Sequence, residues 1–450
     1  MNIHLIAIGG AVMHNLALEL QAQGHRVSGS DDILQEPSRA RLSAAGLLPD
    51  AAGWFPEKIH SGLDAVILGM HARSDNPELL HAQQLGLKVY SFPEFVYQHA
   101  QDKKRLVVAG SHGKTTITAM VMHVLKFHKR DFDYLVGSQL AGFERMVRLS
   151  DSAPVMVIEG DEYLTSPLDL RPKFLHYQPQ VALISGVAWD HINVFPTYEA
   201  YLNQFRQLCE QMLPGAVLGY YEGDEELAKL VQPFADKLQL KAYRAADYVL
   251  EDGYLFLKTS LGKIPLQVFG KHNIENIAAA RLLTAEAGIS KEDFYQAIAS
   301  FPGTARRLER IFDKEGYTVF RDFAHAPSKV KATVAAVREM FPDRSLTAIL
   351  ELHTFSSLKR DFLPQYHHSL AGADHALVYY DPEVVHSKRL EAFEPEEVLR
   401  AFAKPNLQVF TDKQAFHAAL HHLPKHGVQL LMSSGTFGEL HLDTFLNREA

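Results

Sequence analysis

Cysteine is nearly absent: of 450 residues only Cys209 carries a thiol, so no internal disulfide can form and no CxxC pair is available for zinc. That pattern suits a reducing compartment, and a lone thiol of this kind reads as a packing residue. Basic excess is missing too, since 45 Lys+Arg against 53 Asp+Glu leave a formal net charge of −8. Without a basic field the chain has no counterion-release grip on nucleic acid, and any phosphate-bearing ligand must be met by local groups. No window approaches the ~18 consecutive apolar residues of a membrane-crossing helix. The opening MNIHLIAIGG has an apolar run but neither a basic n-region nor a small-residue cleavage site. A cytoplasmic protein without membrane attachment is the expectation. What is present, 47% apolar and 22% charged residues, is globular composition. At ~150 residues per domain the length allows about three domains.

Short β-branched runs alternate with helical stretches from the first residues onward. Residues 3–8 read as a strand, 13–23 as a helix ended by Gly24, and 26–29 as a second strand, a βαβ opening that continues through 65–68 and 87–90. A polar stretch, 101–105, marks the first boundary. A strand at 106–109 runs into a glycine loop and a helix over 115–126, followed by strands at 155–158 and 181–184 and a helix over 198–212. The segment 244–270, with turn residues at Asp252-Gly253 and Leu261-Gly262, predicts an antiparallel hairpin or edge inserted in an α/β domain. Beyond Phe301-Pro302-Gly303, strands at 318–321, 345–350, 376–380 and 428–432 alternate with helices near 328–340, 396–403 and 413–422. The expected fold is therefore α/β in three domains, 1–104, 105–304 and 305–450, the middle one carrying a P-loop-type parallel sheet.

The most informative segment is Leu106-Val107-Val108-Ala109-Gly110-Ser111-His112-Gly113-Lys114-Thr115-Thr116. A strand delivers the chain into a glycine loop whose backbone N–H groups face a phosphate, and the following helix adds the positive end of its dipole. In such a loop Lys114 bridges the terminal phosphates and the Thr115 hydroxyl ligates Mg²⁺. Val108 stands where the first glycine of the longer GxxxxGK[ST] form would be. The loop indicates a nucleoside triphosphate without specifying the chemistry. Its metal needs a carboxylate at the end of a neighbouring strand, and Glu159, where Val155-Met156-Val157-Ile158 runs out, is the best candidate. Asp161 and Glu162 read as loop or hydrogen-bonding groups. One strand later, Trp189-Asp190-His191 offers His191 as a second metal ligand.

With these pieces in order the chain resembles the Mur ligase family of ATP-dependent amide ligases, over essentially its whole length. Gly110 to Thr116 matches the family's GTHGKTT-like loop, Glu159 its metal-binding glutamate and His191 its second-metal histidine. Gly270-Lys271-His272-Asn273-Ile274-Glu275-Asn276 matches the GxHNxxN element, which implies nucleotide contacts for His272, Asn273 and Asn276. Gly303 to Glu309 matches the GxxRRxE element, placing Arg307 on the ATP phosphates, and Asp322 opens a D-x-A-H-x-P segment that brings the C-terminal domain to the nucleotide. The resemblance implies Rossmann-like N- and C-terminal domains, ATP and Mg²⁺ as cofactors, and UDP-N-acetylmuramate plus a short peptide or amino acid as substrates. It implies no nucleic acid and no membrane partner, and a monomer or weak homodimer.

The N-terminal Ala7-Ile8-Gly9-Gly10-Ala11-Val12-Met13 resembles the GxGGxGM loop of the members that bind UDP here, with Ala7 and Val12 in place of two glycines. Gly24 to Asp31 matches their GHxVxGSD strand end, implying that Gly9, Gly10, Ser30 and Asp31 face the UDP-sugar, and Asn76-Pro77-Glu78-Leu79 matches NPE[LI], adding Asn76. Fifteen residues after Asp190, where ligases for later stem residues carry a carbamylated lysine, this chain has Phe205. That departure points to the members acting on unsubstituted UDP-N-acetylmuramate. Among these, Arg171 to Tyr177 and Ser434 to Gly438 resemble the branch that adds L-Ala-γ-D-Glu-meso-diaminopimelate more than the branch that adds L-alanine. A different P-loop ATPase would need other nucleotide motifs. A noncatalytic UDP-sugar-binding protein would not need Lys114, Thr115, Glu159, His191 and Arg307 together. His417 and His421 have i,i+4 spacing but no HExxH glutamate and read as a helix face, and Ser433-Ser434-Gly435 is not a GxSxG elbow.

Overall fold

The computed structural model describes residues 1–189, 194–251, 254–305, 307–314 and 316–447. The chain forms two compact units: Met1–Val187 with Thr197–Arg244 and Ile277–Ile298, and Ala188–Pro196 with Ala245–Asn276 and Ala299–Ala450. Among the described residues no helix is long and apolar enough to cross a membrane.

The first unit holds two mainly parallel sheets. β1 (Asn2–Ile6), β2 (Arg26–Ser30), β3 (Ala65–Leu68) and β4 (Val89–Ser91) pair in the order β2-β1-β3-β4, all parallel. β3 is buried throughout, as parallel strands covered on both faces must be, which is why it reads as an unbroken apolar run. β1 stops two residues short of the predicted end because Ala7 turns into the left-handed region at φ 66°. The chain leaves β1 toward β2 on one side and reaches β3 on the other, so a crevice opens at their carboxyl ends, where ligands of open α/β sheets bind.

The larger sheet contains β5 (Lys104–Ala109), β6 (Asp133–Leu135), β7 (Val147–Arg148), β8 (Val155–Glu159), β11 (Val181–Ile184), β12 (Val217–Tyr221) and β13 (Gln239–Tyr243). Their order is β13-β12-β11-β5-β8-β6-β7, parallel except for the β6–β7 edge pair. Between β8 and β11 the chain makes a small antiparallel hairpin, β9 (Leu164–Ser166) and β10 (Asp169–Pro172), which the sequence reading does not anticipate.

The second unit begins its sheets with β14 (Tyr248–Glu251), β15 (Tyr254–Thr259) and β16 (Gly262–Leu266), a three-stranded antiparallel meander where a hairpin is predicted. The Asp252-Gly253 turn lies outside the described residues. Its main sheet has β17 (Glu309–Lys314), β18 (Tyr317–Asp322), β19 (Leu346–Glu351), β20 (His375–Tyr379), β21 (Leu407–Phe410) and β22 (Gly427–Met432), in the order β17-β18-β22-β19-β20-β21. β17 is an antiparallel edge on an otherwise parallel sheet. Tyr379 and Phe416 stack at 4.6 Å in its core, beside the buried Phe445. The architecture is the three-domain α/β fold that the alternation of elements predicts.

Candidate active site

β5 is the scaffold of the site. It is buried from Arg105 to Ala109 and flanked by β8 and β11, so its carboxyl end opens at a topological switch point. There the chain turns sharply at Gly110, φ 117°, where a Cβ would stand 2.6 Å from both Ser185 N and Ser185 Oγ. Only glycine fits that approach. Gly113, φ 69°, then caps the helix Lys114–Phe127 without a side-chain cap, which leaves the amino end of the helix to the loop. The loop is braced from β11: Ser111 N donates to Gly186 O at 2.9 Å, Ser185 N donates to Ala109 O at 3.0 Å, and Ser185 Oγ donates to His112 O. His112 Nδ1 lies 2.6 Å from Ser111 Oγ. Thr116 is buried one residue past Thr115 on the helix.

β8 supplies the acidic side. Its register sets Glu159 opposite Val108 on β5. Thr115 Oγ1 donates to Glu159 Oε1 at 2.7 Å, and Gly137 N donates to Glu159 Oε2 at 2.7 Å. Lys114 Nζ lies 2.6 Å from Glu162 Oε2 and donates to Gly110 O at 2.7 Å. Burial alone would lower the Lys114 pKa, but the Glu162 carboxylate, followed by Asp161 and Glu159, outweighs it and holds the ammonium above its usual value. Lys173 engages Asp161 at 2.5 Å. Three carboxylates, Glu159, Asp161 and Glu162, therefore face two ammonium groups, Lys114 and Lys173. The Glu162 contact is invisible to a linear reading, which ranks Glu162 as a loop or hydrogen-bonding group; the signal that finds it is the β5–β8 pairing.

At the first sheet's crevice, Gly9 N donates to Asp31 Oδ2 at 2.7 Å, and a Cβ on Gly9 would lie 2.8 Å from that oxygen. Ile33 N donates to the other oxygen at 3.2 Å. Burial, the larger influence, raises the Asp31 pKa against these two donors. Gly10 precedes the helix Ala11–Ala22 as its cap, with φ −57°. Ser30 is fully buried. Asn76 caps the helix Pro77–Gln84, accepting from Glu78 N and Leu79 N at 3.0 and 3.1 Å. Glu78 is itself buried, with Oε2 3.1 Å from His4 Nε2 and Oε1 accepting from Phe55 N at 2.7 Å.

The second unit carries the remaining candidates. Burial lowers the His272 pKa to about 4. Asn273 Nδ2 donates to Phe269 O at 2.9 Å, and Asn276 Nδ2 to Asn273 Oδ1 at 3.4 Å. Asp322, at the end of β18, accepts from Ala324 N at 2.6 Å and from Leu308 N. Burial raises its pKa, opposed by Arg307, whose guanidinium also lies 4.8 Å from the Phe323 ring centre. His191 lies outside the described residues, as do Asp190 and Arg306. His417, on the helix Lys413–His421, has Nε2 2.8 Å from Phe437 O and is engaged structurally.

Three family models match in succession: the Mur ligase family catalytic domain over residues 2–104, the Mur ligase middle domain over 108–284, and the Mur ligase glutamate ligase domain over 306–435. A UDP-N-acetylmuramate:L-alanine ligase from Arthrobacter sp. strain FB24 is 31% identical over 84% of this chain and 80% of its own length. The chain belongs to the Mur ligase family. Mur ligases are ATP-dependent ligases. A UDP-N-acetylmuramate:L-alanyl-gamma-D-glutamyl-meso-2,6-diaminoheptandioate ligase from Haemophilus influenzae is 28% identical over 98% of this chain and 97% of its own. Among solved structures, a murein peptide ligase from Psychrobacter arcticus 273-4 superposes with a TM-score of 0.67 at 24% identity, covering 100% of both chains.

Proposed function

We propose that this Mur ligase joins UDP-N-acetylmuramate to the tripeptide L-Ala-γ-D-Glu-meso-diaminopimelate, a step of peptidoglycan recycling. The observation that carries the choice is length: the Haemophilus relative matches over 98% of this chain, whereas the Arthrobacter alanine ligase matches over 84% at similar identity. The β9–β10 hairpin, which lengthens the link between Glu159 and Val181, accords with this reading.

In the proposed reaction the lactyl carboxylate attacks the γ-phosphorus of ATP, forming a carboxyl–phosphate bond as the bond to ADP breaks. The peptide amine then attacks the carbonyl carbon and phosphate leaves. The P-loop amides and the helix amino end bind the phosphates. Lys114 exchanges Glu162 for a phosphate oxygen, carrying its proton with it because its pKa is raised. Thr115 and Glu159, all-oxygen donors 2.7 Å apart, fit a hard divalent cation. The local excess of carboxylate over ammonium groups would repel a polyanion unless such a cation came with it. Mg²⁺ at that pair, with His191 as the ligand of a second ion, would supply the charge that offsets the transferring phosphoryl group. In the second unit Arg307 is proposed to reach the phosphates, with Asp322 orienting it, and His272, Asn273 and Asn276 to contact the nucleotide. Gly9, Gly10, Ser30, Asp31 and Asn76 shape the UDP-sugar crevice, and Asn76 and Asp31 do so by holding backbone.

The test mixes protein, Mg-ATP and UDP-N-acetylmuramate with either L-alanine or the tripeptide and reads the products by mass spectrometry. A tripeptide adduct with ADP supports the proposal. An alanine adduct alone, or no adduct, overturns it.

A further inference from the structure

Away from the nucleotide loop, three side chains of the first unit converge without serving any step above. Glu94 comes from the helix Phe92–Ala100 that follows β4; Asp169 begins β10, and His176 ends the short 3-10 turn Lys173–His176. One ligand-type atom from each lies within 4.8 Å of the others. Glu94 and His176 line a cavity of about 520 Å³ together with Tyr97, Gln98, Arg171 and Gln178.

His176 is the informative member. It is only 8% exposed, and its Nε2 is sealed from solvent without a hydrogen-bond partner. Asp169 Oδ2 stands 3.2 Å away, yet the ring does not aim an N–H at it. Two lone-pair atoms that approach to this distance without hydrogen-bonding are spaced as neighbouring ligands of one ion are, since bonds of about 2.0–2.1 Å set ligands roughly 3 Å apart. Burial, the largest influence, lowers the His176 pKa against the opposing pull of Asp169. On Glu94, Ser91 N and Ser91 Oγ both donate to Oε2 at 2.7 Å, which fixes the carboxylate and leaves Oε1 for another partner.

We propose that Glu94, Asp169 and His176 form a binding site for a first-row transition divalent ion, Zn²⁺ or Co²⁺ in class, that ties the β9–β10 hairpin to the helix behind β4. One imidazole with two carboxylates favours such ions over Mg²⁺. Arg171, whose Nη2 donates to Asp169 Oδ2 at 2.6 Å with a side chain 54% exposed, supplies the positive charge when no ion is bound and swings into solvent when one is. Arginine and metal therefore compete for the same carboxylate.

The competition makes the test discriminating. The full-length protein, in millimolar Mg²⁺ to occupy the Thr115–Glu159 pair, is titrated with Co²⁺ alone and followed by visible absorption and calorimetry. One Co²⁺ per chain is expected, at least tenfold weaker in Glu94→Gln and Asp169→Asn and tighter in Arg171→Ala. Gln retains the capping geometry at position 94, so Glu94→Gln is readable even where a His176 variant fails to fold. Co²⁺ binding that ignores Glu94→Gln and Asp169→Asn overturns the site, as does absence of binding. Unchanged or weaker binding in Arg171→Ala overturns the competition between arginine and metal.

Discussion

At the scale of single residues the nucleotide loop is governed by one exchange, Lys114 between Glu162 and phosphate. Replacing Lys114 with Ala removes the cation that offsets phosphoryl charge, and kcat should fall by about 10² to 10³-fold or more in an ADP-release assay. Unaltered turnover in Lys114→Ala would sink the mechanism. Glu162→Gln acts in the opposite sense: with the competing carboxylate neutralised, Lys114 is released more easily and KM for ATP should drop several-fold. A raised KM would mean that Glu162 serves the nucleotide in some other way. The second expectation depends on Lys114 Nζ lying 2.6 Å from Glu162, a contact between residues 48 apart in sequence. The loop itself was legible in sequence because its determinants are local: glycines for tight backbone and a lysine and threonine at the start of a helix. Ala7 marks the limit of such reading. It occupies the left-handed region at φ 66° although it is not glycine, a strain of about 1–2 kcal/mol that the first sheet's packing sustains.

At the scale of elements, burial and capping give residues of a motif structural work as well. In the Asn76-Pro77-Glu78-Leu79 run, Asn76 caps a helix and Glu78 is a buried anion held by His4, Ser30 and Phe55 N. Burial works to raise the Glu78 pKa, but those partners more than offset it, and the folded value lies below the ordinary one. A depressed carboxylate stabilises the fold above its unfolded pKa of about 4.3 and loses that contribution as pH falls through the folded value. Glu78→Gln replaces the buried carboxylate that meets His4 Nε2 and accepts from Phe55 N, so stability at neutral pH should fall by about 1–3 kcal/mol in urea melts, and the acid side of the pH–stability curve should flatten. Equal acid sensitivity in wild type and variant would exclude Glu78 as the titrating group. Several elements escaped the sequence reading, β6, β7, β12, β13 and β21 among them, and two more did so for related reasons. β17 is a half-exposed edge whose charged residues mask its alternation, and the β9–β10 hairpin is too short to show a period.

For the whole molecule, two compact units, the second with its own buried aromatic core around Phe416, imply that heat unfolding is not a single all-or-none event. Calorimetry should resolve two transitions, with Mg-ADP raising most the one that belongs to the unit carrying the P-loop. Phe416→Ala should lower the other by about 3–5 kcal/mol. One transition that both perturbations shift together would contradict independent units. Sequence alone determined the α/β class, the phosphate loop, the acidic strand end and the family, because these depend on local periodicity, glycine geometry and motifs in a fixed order. Only the tertiary structure decided that Glu162 neutralises Lys114, that Asp31 and Asn76 are held by backbone donors, and that ligand-type atoms of Glu94, Asp169 and His176 lie within 4.8 Å of one another. Strand pairing brings such groups together across tens of residues, and burial then sets which of them stays charged, which is hydrogen-bonded and which is left with a lone pair to offer.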